Sequence, residues 1–471
     1  MSGVALMRVA ALAALAALAN LMAGCGALGP EHQRPAVTLP ASFAGATADG
    51  ASAAPGIAAN WWTLFGDAEL SRRVEQALAA NSDIAQAVAR VQQAQAVVRE
   101  ADGARLPGVN AGASASRGRG LSVAPAAVSG STRAAVSTSL EIDFWGRLQR
   151  ATEAARAQLL ASGYECDTVA LSVASLVMQN GLAVRSLDEQ IDATRQVLAS
   201  RESALRVFGA RLQGGVGSRL DVEQAEAQRA DAALQLRDLQ RQRALAESQI
   251  AWLSGQPGAR LEPAPSGPEP AVPPPGLPSS LLDRRPDVRR AEKALVAATA
   301  QVGIARAAMR PTLSLTGSLG QQSRELGDLL TAGSRIWSLG FGLALPLFDG
   351  GRLAARADGA QARLAEAVAA YQAAAAAFRE VANALNNLSA ARNATPDHEA
   401  RTAAAEQALR LARARRDAGY SPLLELLDAE RTMISARLDL LRNRQTRQQA
   451  TLELIKALGG GWTADAATAG R

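Results

Sequence analysis

Two hydrophobic periods divide the chain into two kinds of segment. Long stretches repeat an apolar residue at every seventh position, whereas shorter ones alternate apolar with small or polar residues. The seven-residue period is clearest in the proline-free run 146–209 and in the segment after it. Its members are Val177, Val184, Ile191, Leu198 and Leu205, followed by Ala225, Ala232, Leu239, Ala246 and Leu253. Such a seam stays on one face only when helices supercoil, so the pattern predicts very long coiled-coil helices.

The two-residue period occurs in four short segments and predicts β-strands. It occurs from residue 136, from residue 313 and from residue 337, and it is weaker near residue 109. One face is apolar and the other small or polar, as in a strand between lipid and a water-filled lumen. A soluble β-sandwich remains an alternative on this pattern alone. The candidate lipid-facing residues are Val136, Leu140, Ile142, Phe144, Trp337, Leu339, Phe341 and Leu343.

The number of strands implies that the protein is an oligomer. Four strands cannot close a barrel, and a hydrocarbon environment does not tolerate open sheet edges. Several chains must therefore contribute strands to one barrel.

The chain also contains an internal duplication at an offset of 204 residues. Without a gap, Gly215 pairs with Gly419 and Glu226 with Glu430. Each copy is predicted to contain a helix, two strands and two long helices. We expect a lipoprotein signal peptide at 1–24, a lipid-anchored segment at 25–80, the repeats at 81–255 and 281–460, a Pro-rich connector at 256–280 and a tail at 461–471.

The N-terminus has the features of a secretion signal that ends in a lipidation site. Arg8 precedes a short apolar run, and small residues lead to Cys25. The run is too short to span a bilayer, which needs about 20 residues. The segment resembles a bacterial lipobox, which implies covalent lipid on Cys25 and, with Gly26 after it, an outer-membrane destination. An ordinary cleaved signal peptide with an incidental Cys is the alternative.

Composition argues against several other classes of protein. The chain has 471 residues, only 3% aromatics and a net charge of +6, with its charges interspersed along helical stretches. A nucleic-acid surface would combine a basic cluster with stacking aromatics, which the sequence lacks. Two Cys and two His give no metal-ligand pattern, and no nucleophile–base pairing supports catalysis. We therefore expect no enzyme activity, no metal and no cofactor apart from the lipid.

Five motifs carry a specific resemblance. They are WWTLFGDAEL from Trp61, SLEIDFWGR from Ser139, LLDRRPDVRRAE from Leu281, RPTLSLTG from Arg310 and LPLFDGGR from Leu345. With these motifs the chain resembles TolC/OprM-type outer-membrane efflux proteins, specifically the NodT-type lipoprotein branch. The resemblance implies a mainly α fold with a membrane β-barrel. Three chains, each giving four strands, would form a twelve-stranded barrel continued by a twelve-helix α-barrel of coiled coils.

The same resemblance implies a function and partners. The homotrimer would be the outer-membrane channel of a tripartite efflux pump, a passive conduit for drugs or other small molecules. It would extend into the periplasm and dock to a periplasmic adaptor and an inner-membrane transporter, commonly of the resistance–nodulation–division class. No nucleic-acid partner is expected.

Carry-over from the family also places a gate at the helix tips that close the periplasmic end. The candidate gate residues are Asp221, Glu425, Asp428 and Arg416. Glu425 and Asp428 share one helix face, and symmetry would repeat them as an acidic ring. The alternative is that they are helix-start carboxylates that interact with the helix dipole. The candidate adaptor contacts are Arg211, Arg219 and Arg415.

Two other classes of protein are alternatives to the channel. A periplasmic adaptor lipoprotein would share the lipobox and the coiled-coil hairpins, but it would have one hairpin rather than two copies of the unit. A lipid-anchored periplasmic enzyme would need an acid–base or metal constellation.

Overall fold

The computed structural model describes residues 27–37, 40, 43, 57–119, 128–274, 281–421 and 423–461. The expected signal peptide and the lipidation site Cys25 lie outside the described residues. So do 275–280 of the Pro-rich connector and 462–471 of the tail.

Eight helices of three or more turns occur in this part of the chain, together with four strands. The helices are α1 (Ala68–Ala80), α2 (Ser82–Gly103), α3 (Arg147–Gln213), α4 (Arg219–Leu253), α5 (Pro286–Ala307), α6 (Arg352–Ala375), α7 (Phe378–Asp417) and α8 (Leu423–Ala457). The strands are β1 (Gly108–Arg119), β2 (Val128–Ile142), β3 (Thr312–Ser323) and β4 (Arg335–Ala344).

The longest helix, α3, follows from the seven-residue period. It has 67 residues, which corresponds to about 100 Å at 1.5 Å per residue. Val177 and Val184 are fully buried and Ile191 is 3% exposed. By length and composition alone, α3 could cross a membrane, but half of its most apolar stretch is buried inside the protein. The burial of the seam confirms the predicted long packed helix.

The corresponding helix of the second half is interrupted. Helix α6 ends at Ala375 and α7 begins at Phe378. At the break, the amides of Ala376 and Ala377 donate to carbonyls three residues back rather than four. The segment is a run of alanines, the strongest helix formers, so helix propensity does not explain the interruption.

The four strands form one antiparallel sheet in the order β1-β2-β3-β4. Register pairs Val136 with Leu319 and Leu319 with Trp337. Consecutive strands are therefore neighbours even where three long helices and the connector separate β2 from β3 in sequence. Strands β1 and β4 are the edges of the sheet within one chain.

Two compact units divide the described chain, and α3 passes through both. The first contains the sheet, most of α2, α5 and α6, and the first part of α3. The second contains α1, α4, α7, α8 and the rest of α3. A core of large side chains fills the second unit and includes Trp61, Phe65, Leu70, Val177, Met178 and Leu253. The first unit has a smaller core, around Val302, Ala305 and Ala360.

Candidate functional site

One face of the sheet is apolar over most of its height. Directly opposite residues of antiparallel strands project from the same face, so the register assigns each side chain to a face. The apolar face is built from the rows Val136–Leu319–Trp337, Leu140–Leu315–Phe341 and Ile142–Leu313–Leu343, with Leu339 opposite Gly317. Trp337, Leu339, Phe341 and Leu343 are 79%, 73%, 64% and 63% exposed. Such an array in water would be an aggregation surface, so it indicates a membrane or partner environment.

Phe144, which the pattern grouped with this face, lies beyond it. Strand β2 ends at Ile142, and the Phe144 amide donates to the Ile142 carbonyl at 2.8 Å. That bond closes a tight turn before α3, so the alternation cannot continue to residue 144. Phe144 instead packs edge-to-face on Trp145, with ring centroids 4.9 Å apart.

The opposite face of the sheet is lined by small and polar side chains. One row contains Asn110, Ser137, Ser318 and Ser338. The Ser318 and Ser338 hydroxyls lie 2.8 Å apart, and Ser137 donates to the Asn110 carbonyl at 3.4 Å. The face therefore satisfies part of its own hydrogen bonding and leaves the rest to water, as a lumen wall does.

The segment that follows Cys25 is packed tightly where β2 leads into α3. The Leu28 amide donates to the Trp145 carbonyl at 3.1 Å. A Cβ added to Gly146 would lie 2.6 Å from the Cβ of Ala27, and one added to Gly303 would lie 2.6 Å from the Leu28 carbonyl oxygen. Only glycine allows the chain to approach this closely at both positions.

The two hairpin tips have the same backbone geometry at the 204-residue offset. Gly215 and Gly419 adopt φ of 69° and 79°. In the first tip, Val216 N–H donates to the Arg211 carbonyl at 3.0 Å; in the second, Tyr420 N–H donates to that of Arg415 at 2.8 Å. Both are Schellman-type helix ends that need a left-handed residue, which explains why the duplication retains glycine there.

The structure gives three of the four gate candidates partners within the chain. The Glu425 carboxylate lies 3.5 Å from Arg415. Asp428 lies 2.8 Å from Arg431. Arg416 donates to the Ser421 carbonyl at 3.4 Å, so its partner is backbone rather than a carboxylate. For Asp221, which is half-buried at the start of α4, no ion pair occurs within the described residues.

The adaptor-contact candidates Arg211, Arg219 and Arg415 are all exposed at the tips. Arg219 pairs with Glu223 at 3.4 Å, one helical turn away. The tips also expose four large apolar side chains that sequence reasoning did not single out. Val216, Leu220, Tyr420 and Leu424 are 79%, 63%, 81% and 66% exposed. Val216 and Tyr420 lie 204 residues apart, and so do Leu220 and Leu424. The alignment of the two repeats therefore already paired these residues.

A buried ion cluster near the tips also escaped the sequence analysis. Arg201 of α3 lies 3.6 Å from Glu430 of α8, and their side chains are 7% and 9% exposed. Ser200 donates to the same carboxylate at 3.2 Å, and Arg413 approaches it at 3.4 Å. Arg201 lies three residues after the seam residue Leu198, a core position of the heptad. A charge at such a position is the feature of the sequence that could have revealed it.

Burial lowers the pKa of Arg201, and the charge of Glu430 opposes this only in part. At Asp67, burial alone would raise the pKa. The hydrogen bonds from Arg185 and from the amides of Leu70 and Glu69 outweigh that effect, so the pKa of Asp67 lies below its ordinary value. No group of His, Cys, Asp and Glu in the described residues could hold a metal ion.

Comparison with known proteins identifies the family. The model of the outer membrane efflux protein family matches residues 74–256 and 277–460. Outer membrane protein OprJ of Pseudomonas aeruginosa is 35% identical over 97% of this chain and 97% of its own. Cation efflux system protein CusC of Escherichia coli is 32% identical over 94% and 97% of the two chains. The open-state MtrE channel of Neisseria gonorrhoeae superposes with a TM-score of 0.84, at 32% identity over 93% and 98% of the chains.

These matches support the channel over the adaptor alternative. The sheet of each chain is one third of a twelve-stranded barrel in the outer membrane, and the long helices of three chains form the tunnel that extends into the periplasm. The homotrimer pairs with an adaptor and an inner-membrane transporter in a tripartite pump. The chain therefore belongs to the outer membrane efflux protein family.

Proposed function

We propose that the protein is a passive export conduit whose outer wall in the membrane is the apolar face of the sheet. The separation of apolar and polar rows over most of the height of the sheet carries this proposal, because a strand between lipid and water needs that separation. The lipid-facing residues are Val136, Leu140, Ile142, Trp337, Leu339, Phe341 and Leu343, with Phe144 at the base of the sheet.

Cargo selection lies with the transporter rather than with this wall. In the described strands the lumen face offers mainly Ser, Thr, Asn and Gly, with single charged residues such as Arg133 rather than a charged cluster. Small molecules, drugs among them, would pass such a wall without specific binding. The family motifs favour a transporter of the resistance–nodulation–division class.

The gate of the conduit is a charged constriction at the tips of the helix hairpins. Glu425 and Asp428 lie on the first turns of α8, and Asp221 lies on the first turn of α4. Threefold symmetry repeats each of them around the tunnel axis. Arg415 and Arg431 neutralise two of the three carboxylates within the chain, which leaves Asp221 as the strongest net negative group. The constriction therefore favours cations modestly.

The adaptor docks on both hairpin tips through apolar as well as basic contacts. Each tip presents two exposed apolar side chains, and they recur at equivalent positions of the two repeats. Tyr and Arg are the residue types that most often dominate the binding energy of protein interfaces, so Tyr420 is the expected anchor beside the basic residues Arg211, Arg219 and Arg415. The other exposed apolar side chains would exclude water around these anchors. The duplication gives every trimer six similar docking tips, and it supports 81–255 and 281–460 as copies of one unit.

Cys25 carries the lipid that anchors the mature N-terminus. Its neighbour Ala27 is held against Gly146 at the base of the sheet. Two residues span at most about 7 Å, so an acyl group on Cys25 starts close to the level where the apolar face ends. Several acyl chains at this level would insert into the inner leaflet of the outer membrane and hold the protein firmly.

The decisive experiment is single-channel recording of the purified homotrimer in a planar bilayer. We expect discrete conductance steps with a weak cation preference. Asp221→Asn should reduce that preference more than Asp428→Asn does, because Arg431 already neutralises Asp428. Glu223→Gln, on the same helix but paired with Arg219, is the matched control. Absence of steps from both the wild type and the Asp221 variant would refute the conduit, whereas steps with unchanged selectivity would refute only the gate assignment.

A further inference from the structure

The outward half of the apolar face contains a shallow cavity of about 770 Å³. Seven of its ten lining residues occupy positions of the apolar face. Its floor is unusually flat because Ala111, Ala113 and Ala134 stand where larger apolar residues occur elsewhere. Leu319 borders one end, and Gln321 and Arg335 border the other.

The polar end of this cavity lies at the outward end of the sheet. Strand β4 starts at Arg335 and runs to Ala344, from which the chain continues into α6. The helices extend into the periplasm, so Arg335 lies at the opposite, outer-surface end of the strand. Trp337 is the next residue on the same face and is 79% exposed. Trp is enriched where hydrocarbon gives way to headgroups, which places Arg335 at headgroup level.

Arg335 is exposed, and no carboxylate pairs with it within the described residues. Its row of the sheet contains Ala134 and Gln321. The row thus presents a cation and an amide above an alanine-lined depression. A cation on the lipid side of a barrel needs an anionic partner, and at that level the available anions are lipid phosphates.

We propose that this groove binds a phosphorylated lipid of the outer leaflet, with an acyl chain over the alanines and a headgroup phosphate on Arg335. The alanines leave room for a chain to lie against the backbone, and Gln321 adds a hydrogen bond to the headgroup. The partner is the phosphorylated glycolipid of the Gram-negative outer leaflet rather than a soluble anion, because the groove continues into the lipid-facing band. The proposal rests on the membrane location of the sheet and is independent of the gate.

The test is native mass spectrometry of the delipidated homotrimer in detergent, titrated with bisphosphorylated lipid A. Arg335→Gln should weaken binding about fivefold, the usual effect of one basic residue at an anionic membrane surface. Ala113→Leu should weaken it at least as much by filling the groove. The matched controls are Arg133→Gln and Ser114→Leu, which alter the lumen face at the same height. Both controls should bind lipid A as the wild type does.

Three results would overturn the proposal. The first is an equal loss with Arg335→Gln and Arg133→Gln, which would reveal only a general charge effect. The second is equal binding of dephosphorylated lipid A by the wild type. The third is displacement of lipid A by equimolar inorganic phosphate, which would indicate a free-anion site. Single-channel conductance should stay unchanged in Arg335→Gln and Ala113→Leu, which alter only the lipid-facing side of the sheet, so failure here is distinguishable from failure of the conduit.

Discussion

Glu430→Gln removes the negative charge from the buried cluster of Glu430, Arg201 and Arg413 near the hairpin tips. We expect this substitution to destabilise the packing of α3 against α8 there. The substitution keeps the shape of the side chain, and Ser200 can still donate to the amide oxygen. Among the described residues it leaves Arg201, whose side chain is 7% exposed, with the Leu427 carbonyl at 3.3 Å as its remaining partner. The perturbation therefore creates an uncompensated buried charge rather than a cavity.

The expected magnitude follows from this burial. Breaking a buried ion pair from one side costs about 3–5 kcal/mol. The remaining Leu427 contact puts the cost near the lower limit, about 3 kcal/mol. Arg201→Met should cost only about 1 kcal/mol, because Glu430 keeps Ser200 and the exposed Arg413 as partners. The repeat supplies a control in Glu226, the equivalent of Glu430. Its pair with Arg229 is about half-exposed to solvent, so Glu226→Gln should leave stability nearly unchanged.

The assay is hydrogen exchange of the homotrimer, resolved to peptides of α3 and α8 around these residues. A loss of about 3 kcal/mol should speed local exchange roughly a hundredfold, since each 1.4 kcal/mol is a factor of ten. Combining Glu430→Leu with Arg201→Met should restore slow exchange, because an apolar pair of similar volume removes the unpaired charge. Equal exchange rates for Glu430→Gln and Glu226→Gln would refute the argument.

Three further predictions concern the tips, the second unit and the anchor. Tyr420→Ser should weaken adaptor binding at least tenfold, measured by surface plasmon resonance on immobilised trimer; binding equal to wild type would exclude the tip contact. The lowered pKa of Asp67 stabilises the fold above its ordinary value of 3.8, and this stability is lost as pH falls through the lower folded value. Asp67→Asn should make the melting temperature less dependent on pH in that acidic range. An unchanged slope of melting temperature against pH would count against a lowered pKa of Asp67. Gly146→Val should displace Ala27 and speed hydrogen exchange of the Leu28 amide, which donates to the Trp145 carbonyl, whereas Gly359→Ala, with open space around it, should not.

The secondary structure was largely predictable, because periodicity is a local property of the chain. The seven-residue seam predicted α3, and the two-residue alternation predicted all four strands. The extension of the alternation to Phe144 was wrong, because a backbone hydrogen bond that alternation cannot reveal ends β2 two residues earlier. The interruption between α6 and α7 was not foreseen either, since a run of alanines predicts continuous helix.

The candidate site was predictable only in outline. The sequence identified the tips through Gly215 and Gly419, whose backbone requirement is local. It favoured charged residues there and overlooked the exposed apolar pairs, because exposure depends on what the tertiary structure leaves uncovered. Glu226 and Glu430 are equivalent in the repeat, yet one is exposed and the other is buried against Arg201.

By itself, the sequence determined the periods, the duplication and the need for several chains, since these follow from side-chain spacing and from the hydrogen-bonding demand of strands in lipid. Tertiary structure alone decided which equivalent residues of the two repeats are buried, which carboxylates find a cation, and where alanines of two strands join into one groove. Those outcomes depend on register and on packing between segments far apart in the chain, and local sequence does not encode such distances.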